Sequence, residues 1–365
     1  MPKLVVSLVT YNSKNTLARC LESVANQTFR DFELICRDNH SSDGSADGVR
    51  RAYPSAHCIQ SPTNEGFSRA HNATIRDTTS PYLCILNADL ILDPSYFEEC
   101  VSFLDAHHGA AAVSGLLVKV HSLTEPVHSD TIDSSGIVLF RTGRAANADA
   151  GKSIEAFKKI TQRIGVPATA AVYRRAALED ISLKICTCQR MRHSQSDGVQ
   201  GGSDERSKAY MEIRRRAPEL ATQQSADCEC RIEYFDEDFF MYKEDVDVAL
   251  RLTLRGWRSY AIPTSRAYHM RSTDENILKR PSPFINRLSY RNHWFVLLKD
   301  LPRSFWLRNG FRILFFESAK LLYLLMREPS TLAALFDVLK LREKMLQKRA
   351  FIMERAKVKS IKLKA

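Results

Sequence analysis

The sequence of 365 residues lacks an apolar run long enough to cross a membrane, for which about 20 residues are needed. The nearest candidate, residues 305–326, is interrupted by two arginines, a glutamate and a lysine. The first three residues lead directly into a strand-like segment, without the apolar region of a signal peptide. We therefore expect a cytoplasmic protein.

Cysteine is sparse, and its count of nine is odd. An odd number argues against a complete disulfide framework and favours a reducing compartment. The pairs Cys186-x-Cys188 and Cys228-x-Cys230 leave zinc binding open, but one intervening residue matches structural zinc sites poorly. We favour free thiols.

Two nucleotide-binding motifs are also missing. No G-x-G-x-x-G follows the first strand pattern, and no G-x-x-x-x-G-K-[ST] occurs in the chain. These absences disfavour dinucleotide oxidoreductases and P-loop NTPases. With 44% hydrophobic residues and no long low-complexity tract, the chain has enough apolar material for one large α/β domain with a smaller appendage.

Strand and helix patterns alternate through the first hundred residues. Apolar runs predict strands at 3–10, 32–36, 57–60 and 81–86, and helical periodicity predicts helices at 14–27, 68–77 and 94–104. This order predicts an α/β fold with an open, mostly parallel sheet and helices on both faces. Ligands of such sheets bind beyond the carboxyl ends of the strands.

The remaining chain is less regular. We predict a strand at 113–120, a Gly-rich polar turn at 133–144, a strand leading into a helix at 168–178, a helix at 243–255 and a strand with a loop at 260–269. Residues 182–231 have few large apolar side chains and predict a partly disordered surface insertion. We divide the chain into a domain at 1–275 and a basic helical extension at 276–365.

Polar residues follow three of the predicted strands. They are Thr10, Tyr11 and Asn12 after the first, Asp38 after the second, and Asn87, Ala88 and Asp89 after the fourth. A carboxylate after the second strand can accept hydrogen bonds from a ribose or a base. A carboxylate after the fourth can bind Mg²⁺ or Mn²⁺ together with substrate phosphates, and such a cation neutralises a departing diphosphate.

A second group of acids opens the helix at 243–255. Aromatic residues precede Glu244 and Asp245 and would partly desolvate them, which favours a general base. Acids at a helix start also have a structural explanation, because they face the positive end of the helix dipole. Asp247 and Arg251, four residues apart, could simply form an ion pair.

The net charge of +11 is concentrated near the end of the chain. A basic tail can bind nucleic acid, bind an anionic membrane surface, or be merely solvated. We disfavour nucleic acid, because the tail lacks interleaved aromatic residues. One helical stripe either faces the core or lies on a bilayer. The stripe consists of Leu307, Phe311, Leu314, Phe315, Ser318, Leu321, Leu322 and Leu325.

In this order along residues 3–272, the motifs resemble the inverting glycosyltransferase family 2 and, more narrowly, its rhamnosyltransferase-like branch. The matching segments are residues 5–12, 21–24, 38–45, 64–67, 86–89, 239–247 and 268–269. The insertion at 182–231 departs from the family pattern. The resemblance implies the GT-A nucleotide-diphospho-sugar transferase fold.

The resemblance also implies roles for individual residues. Asp245, with Glu244, corresponds to the catalytic base, and Asp89 and His269 to the Mg²⁺ or Mn²⁺ site. His269 could instead be a buried structural histidine. Asn87 stands where the family often has aspartate. The implied donor-binding residues are Thr10, Tyr11, Asn12, Asp38, Asn64, Gly66, Phe67, Asn72, Asn87 and Ala88.

The implied activity is transfer of a sugar, with rhamnose favoured, from a dTDP- or UDP-sugar to a hydroxyl of a growing glycan. The glycan acceptor could be lipid-linked, in cell-surface polysaccharide synthesis. The enzyme would then lie on the cytoplasmic face of the inner membrane. The alternative is a catalytically silent protein that binds nucleotide sugars or glycans, but both Asp89 and Asp245 are present.

Overall fold

A computed structural model describes residues 1–122, 129–186, 230–270 and 282–361. The chain forms two compact units, the larger one from Met1–Ile181 with Tyr234–Ala365 and the smaller one from Ser182–Glu233. The predicted boundary at residue 275 lies outside the described residues, so the division of the chain there stays a prediction.

Strands and helices alternate at the start of the larger unit, as predicted. They are β1 (Leu4–Thr10), α1 (Lys14–Ala25), β2 (Phe32–Asp38), α2 (Ser45–Ala52), β3 (His57–Gln60), α3 (Gly66–Arg76) and β4 (Tyr82–Asn87). The sequence analysis missed α2, because Asp43-Gly44-Ser45 has turn chemistry. The same residues start the helix, since the Asp43 carboxylate accepts a hydrogen bond from the Ser45 backbone at 2.9 Å.

The later elements complete the larger unit. They are β5 (Leu90–Leu92), α4 (Tyr96–Ala106), β6 (Ala110–Val120), β7 (Ile132–Ser134), β8 (Ile137–Leu139), β9 (Ala145–Asn147), β10 (Thr161–Arg163), β11 (Ala170–Arg174) and α5 (Arg175–Ile181). After the insertion come α6 (Glu244–Arg255), β14 (Arg258–Met270), α7 (Pro283–Lys299), α8 (Arg303–Arg327) and α9 (Ala333–Glu354). The predicted polar turn at 133–144 is wrong in part, because it contains β8, whose Ile137 and Leu139 are buried.

The main sheet runs in the order β10-β14-β6-β11-β4-β1-β2-β3. Strands β4, β1, β2 and β3 are parallel, whereas β11 is antiparallel to both of its neighbours, so the sheet is mixed. Alternate residues of β1 enter two cores, with Val6 among residues of α1 and α4 and Val5 among residues of α3 and α6. Helices therefore cover both faces, as predicted.

The smaller unit contains β12 (Leu183–Cys186), which pairs in antiparallel fashion with β13 (Cys230–Glu233). Cys186 lies opposite Cys230 in this ladder. Residues 187–229 lie outside the described residues. The predicted disorder of the insertion and the zinc alternative, which needs Cys188 and Cys228, fall within them.

Helix α8 turns its apolar stripe outward. Phe311 is 83% exposed, Leu307 is 77% exposed and Phe315 is 70% exposed. The face toward the protein carries Ile313 and Glu317 instead. The core-facing interpretation of the stripe is therefore wrong. Within the described ranges, no helix is both long and apolar enough to span a bilayer.

Part of the basic tail is internal to the molecule. On α9, Lys348 is buried and pairs with Asp236 and Asp238, the latter at 2.7 Å, and Lys344 also pairs with Asp238. Arg349 donates to backbone carbonyls at the end of α7. The interpretation of a merely solvated tail is wrong for these residues, because they neutralise acids or cap a helix of the same unit.

Candidate active site

Thr10 and Asp38 meet at the carboxyl ends of β1 and β2, which pair in register at these two residues. The Thr10 hydroxyl donates to Asp38 Oδ1 at 2.9 Å, and Oδ2 accepts from the Ser41 backbone at 3.0 Å. Both side chains of the pair are fully buried. In this conformation the pair therefore orders the loop after β2, and it presents no exposed group to a ligand.

Tyr11 and Asn12 are exposed at this edge, as are His40 and Ser42. We call residues 10–12 and 38–42 the donor edge. Asn12 has a positive φ of 50°, a conformation that asparagine tolerates better than most residues. Its Oδ1 accepts from the Ser42 backbone at 2.9 Å, and its own N–H donates to Ser41 Oγ at 2.9 Å. These two bonds join the loop after β1 to the loop after β2, and Tyr11 and Asn12 remain exposed to solvent.

Asn64, Gly66 and Phe67 form the start of α3. Asn64 Oδ1 accepts from the Gly66 N–H at 3.0 Å, and the Phe67 N–H donates to the Phe240 carbonyl at 2.7 Å. Gly66 has a φ of +78°, and a Cβ placed there would lie 2.5 Å from the Phe240 ring. Only glycine fits here, so the turn serves to seat the loop that precedes α6.

The contacts of Asn72 contradict its predicted role in donor binding. Its side chain is fully buried, and Nδ2 donates to the Phe235 carbonyl at 2.7 Å and to Glu237 at 3.1 Å. Oδ1 accepts from the backbone of Tyr234 and Phe235. All of its hydrogen-bonding capacity is used, because an amide offers two donors and two acceptor lone pairs. Asn72 positions the 234–237 segment instead.

Asp89 and His269 face each other across the β5–β14 pairing. His269 Nε2 lies 3.4 Å from Asp89 Oδ2, and Nδ1 lies 2.9 Å from Oδ2 of buried Asp133. Burial lowers the pKa of His269, but the hydrogen bonds and charges of Asp133 and Asp89 outweigh it and raise the pKa to about 9. The sequence analysis missed Asp133, which lies in the misassigned polar turn.

One feature of Asp89 favours the binding of a divalent cation. Asp89 Oδ1 is buried and has no hydrogen-bond partner, which is costly unless a ligand satisfies it. In the part of the chain that the structure describes, no group of three His, Cys, Asp or Glu residues could hold a metal alone. Mg²⁺ commonly takes one or two protein carboxylates and completes its shell with phosphate oxygens and water. Asp89 suits a site of that kind, whereas His269, which holds a proton between Asp89 and Asp133 at neutral pH, would have to lose that proton before it binds the cation.

Glu244 and Asp245 begin α6 in a largely dry environment. Burial raises the pKa of Glu244 to about 8, and the charge of Asp245 adds to the effect. Burial also raises the pKa of Asp245, although a 2.8 Å hydrogen bond from the Val246 backbone opposes it. Asp245 is partly exposed whereas Glu244 is buried, so Asp245 is the acid that a substrate can reach.

Residues 168–169, directly before β11, neighbour both the acids and the segment that leads to Asp89. The Asn87 N–H donates to the Thr169 carbonyl at 2.9 Å, and the adjacent Ala168 backbone lies close enough to Asp245 to lower its pKa. Tyr242 lies close enough to Glu244 and Asp89 for both charges to raise its pKa, after burial. Asp89 and Asp245, which are 156 positions apart in the sequence, therefore lie near the same side chain, Tyr242.

The loop before α6 is strained and is clamped from outside. Phe240, Tyr242 and Lys243 have φ values of 64°, 69° and 65°, a region costly for residues other than glycine. Asn292 on α7 donates to the carbonyls of Phe239, Met241 and Tyr242 at 2.8–2.9 Å. The sequence analysis missed Asn292, because an asparagine within a helical pattern gives no signal of this contact.

Asp247 pairs with Arg251, as the structural explanation predicted. Arg251 Nε lies 3.1 Å from both Asp247 oxygens, and both residues are buried. Lys299 at the end of α7 also bonds to Asp247 and lies 3.0 Å from Asp236. These buried ions join α6, α7 and the 236–247 segment, which we call the acid segment.

Comparisons with known proteins support the fold. Residues 5–182 match the family model described as Glycosyl transferase family 2. The solved structure of GalNAc-T7 with UDP, GalNAc and Mn²⁺ aligns with a TM-score of 0.53 at 11% identity. It covers 82% of this chain and 48% of that one. The likeness confirms the predicted GT-A fold.

Curated relatives match parts of the same region. EpsE of Bacillus subtilis is 30% identical over 123 residues, which are 32% of this chain and 44% of that protein. The poly(ribitol-phosphate) beta-glucosyltransferase of Bacillus spizizenii is 30% identical over 93 residues, which are 24% of this chain and 15% of that protein. The chain thus covers less than half the length of these relatives.

Proposed function

Because residues 5–182 match the Glycosyl transferase family 2 model, we propose that the chain is an inverting glycosyltransferase. It transfers a sugar from a nucleoside diphosphate to a hydroxyl group of a glycan. The observation that carries this proposal is the partly exposed residue Asp245, whose pKa burial raises, near Tyr242, which also lies close to Asp89.

Asp245 is the base of the proposed reaction. It takes the proton of the acceptor hydroxyl as the oxygen attacks the anomeric carbon, on the face opposite the departing diphosphate. Glu244 holds its own proton near neutral pH, and this lowers the negative charge beside the base. Asp89 and His269 would hold Mg²⁺ or Mn²⁺, which neutralises the leaving diphosphate.

The donor edge would bind the nucleoside. Tyr11 and Asn12 supply exposed groups, and Thr10 and Asp38 fix the loops beneath them. Asn87 and Ala88 lead to Asp89. The start of α3, with Asn64, Gly66 and Phe67, lies at the border of this region and contacts the loop that contains Phe240. We propose a dTDP- or UDP-sugar as donor, with rhamnose favoured by the sequence resemblance.

We place the reaction in the synthesis of a cell-surface polysaccharide. The support is the activity for which relatives of part of the chain are named, among them the poly(ribitol-phosphate) beta-glucosyltransferase. The proposed acceptor is a growing glycan, carried by a lipid.

The decisive experiment offers the purified protein a panel of nucleotide sugars, with and without Mg²⁺ or Mn²⁺, and follows release of the nucleoside diphosphate. We expect metal-dependent release from one donor, and Asp245→Asn should lower turnover by about 10²–10⁴-fold. Asp337→Asn, which changes a carboxylate paired with Arg287 on the helical extension, is the control. Near-full turnover by Asp245→Asn would refute its role. Donor binding without release in any variant or with any acceptor would indicate a silent binding protein.

We further propose that α8 lies on the cytoplasmic face of the membrane. Its outward face is apolar, its one acid (Glu317) is buried, and Arg308 and Arg312 are exposed beside the apolar residues. Such a helix binds an anionic bilayer by apolar burial and charge attraction. Flotation with phosphatidylglycerol vesicles should be lost in the Phe311→Glu/Phe315→Glu double variant and kept in Ile160→Glu, a change at an exposed apolar residue elsewhere. Equal flotation of both variants would contradict the proposal.

A further inference from the structure

Three cationic side chains, of which one adjoins the proposed base, have no acidic partner among the residues that the structure describes. Lys243 directly precedes Glu244 and Asp245, Arg144 lies in the turn between β8 and β9, and Lys320 lies on α8. Among the described residues, no carboxylate oxygen comes within 4.0 Å of the side-chain nitrogens of Arg144, Lys243 or Lys320. We call these three residues the cationic cluster.

Helix α7 brings the backbones of two members together. Asn292 donates to the Tyr242 carbonyl at 2.8 Å and so fixes the residue before Lys243. One and a half turns further along α7, Leu297 packs on Gly143, where an added Cβ would lie 2.5 Å from the leucine side chain. Arg144 follows directly, so its turn is held on the same helix.

Lys320, on α8, also contacts α7. Its Nζ lies 4.8 Å from the centre of the Tyr290 ring, and the neighbouring His293–Glu317 bond of 2.7 Å joins α7 to α8. The three α7 contact points lie between residues 290 and 297, which at 1.5 Å per residue is about 10 Å of helix.

The three charges act on one another. Burial lowers the pKa of Lys243, Asp245 and Glu244 oppose this, and Lys320 and Arg144 lower it further. Of the acids near Lys320, Glu317 already bonds to His293 and Glu328 accepts from Asn286. A half-buried cation among other cations is unfavourable unless an anion completes the site.

We propose that Arg144, Lys243 and Lys320 bind a phosphate group of the acceptor substrate. The inference rests on the proposed function, and it names the chemistry of the acceptor. An arginine fork and two ammonium groups suit a phosphate dianion. Lys320 lies beside Leu321 and Leu322 of the exposed apolar face, so a phosphate carried by a lipid would reach the cluster with its chain on that face.

Calorimetric titration of the full chain with inorganic pyrophosphate in EDTA tests the cluster, because a donor site that depends on a divalent cation is silent under these conditions. Each lost charged contact should weaken binding about tenfold, so we expect about 100-fold for Arg144→Gln/Lys320→Gln. Lys320→Arg should bind nearly as the native chain does. The control, Arg342→Gln, removes an exposed charge on α9. No binding by the native chain, or equal binding by the double variant, would overturn the proposal.

A second titration separates the two sources of phosphate. If the phosphate belongs to the acceptor, the double variant should bind farnesyl diphosphate more weakly in EDTA and should bind UDP as the native chain does in Mg²⁺. Weaker binding of UDP alone would assign the cluster to the donor and overturn the acceptor assignment. Donor hydrolysis by the same native preparation, assayed in Mg²⁺ or Mn²⁺, tests the proposed function separately. Pyrophosphate binding in EDTA does not depend on turnover.

Discussion

The two sides of the candidate site are held in different ways. At the donor edge, Thr10 bonds to Asp38 and Asn12 to Ser42, all within the first two strands and their loops. The acid segment, by contrast, is held by α7 and α9, through contacts that span 50 residues for Asn292 and 112 for Lys348. The family match ends at residue 182, so everything that holds the acid segment from these helices lies beyond it.

This difference gives the helical extension a role in shaping the acid segment. The donor edge is built from paired strand ends, whose position the sheet fixes. The acid segment contains three residues in a costly backbone conformation, and such strain persists only where surrounding contacts impose it. The C-terminal helices supply those contacts. Substitutions in them should therefore affect stability and catalysis more than substitutions at the donor edge.

The largest effect on stability should follow from Lys348→Met. The substitution leaves the buried carboxylate of Asp236 with one cationic partner fewer, and breaking a buried pair costs about 3–5 kcal/mol. Urea denaturation at pH 7 measures the loss in the free energy of unfolding. Arg342→Met changes an exposed charge on the same helix and should stay within about 0.5 kcal/mol of the native chain. Equal effects of the two variants would show that the tail is solvated after all.

The next effect concerns positioning. Asn292→Ala removes the donor that holds three carbonyls of the strained loop, and a shift of about 1 Å at a reacting group can cost about 100-fold in rate. We expect kcat to fall by about 10–100-fold while the donor KM changes little. Asn286→Ala is the matched control, because Asn286 lies on the same helix but bonds to Glu328. A parallel rise in the donor KM would contradict a pure positioning role.

Sequence patterns located the donor edge because its residues follow strands directly, and strand ends of a parallel sheet meet at one edge. They also located Glu244 and Asp245, through the aromatic residues before a helix start. They gave no access to Asn292, Lys299 or Lys348, since a polar residue inside a helix is ordinarily solvated and only tertiary packing buries it. The outward turn of the α8 stripe was equally inaccessible, because amphipathic spacing does not say which face meets the protein.

A smaller effect should appear as a change in the pH dependence of stability. The pKa of Glu244 rises from its usual 4.5 to about 8 on folding, so between these values the folded chain holds a proton that the unfolded chain has released. Stability then falls as the pH rises through this window. Glu244→Gln removes this slope, and its free energy of unfolding relative to the native chain should increase by at least about 1 kcal/mol between pH 5 and pH 8. Glu343→Gln, an exposed control, should leave the slope unchanged.

The smallest effect should come from Asn12 at the donor edge. Asn12→Ala loses the bond from the Ser42 backbone and places alanine at a φ of 50°, whereas Asn12→Gly loses the bond but accepts the backbone. Because the Ser41 bond to the Asn12 N–H remains in both, we expect a loss of about 1 kcal/mol for alanine and less for glycine in urea denaturation. A loss of the size found for Lys348→Met would show that the donor edge depends on single contacts as strongly as the acid segment does, and the contrast between the two sides would fail.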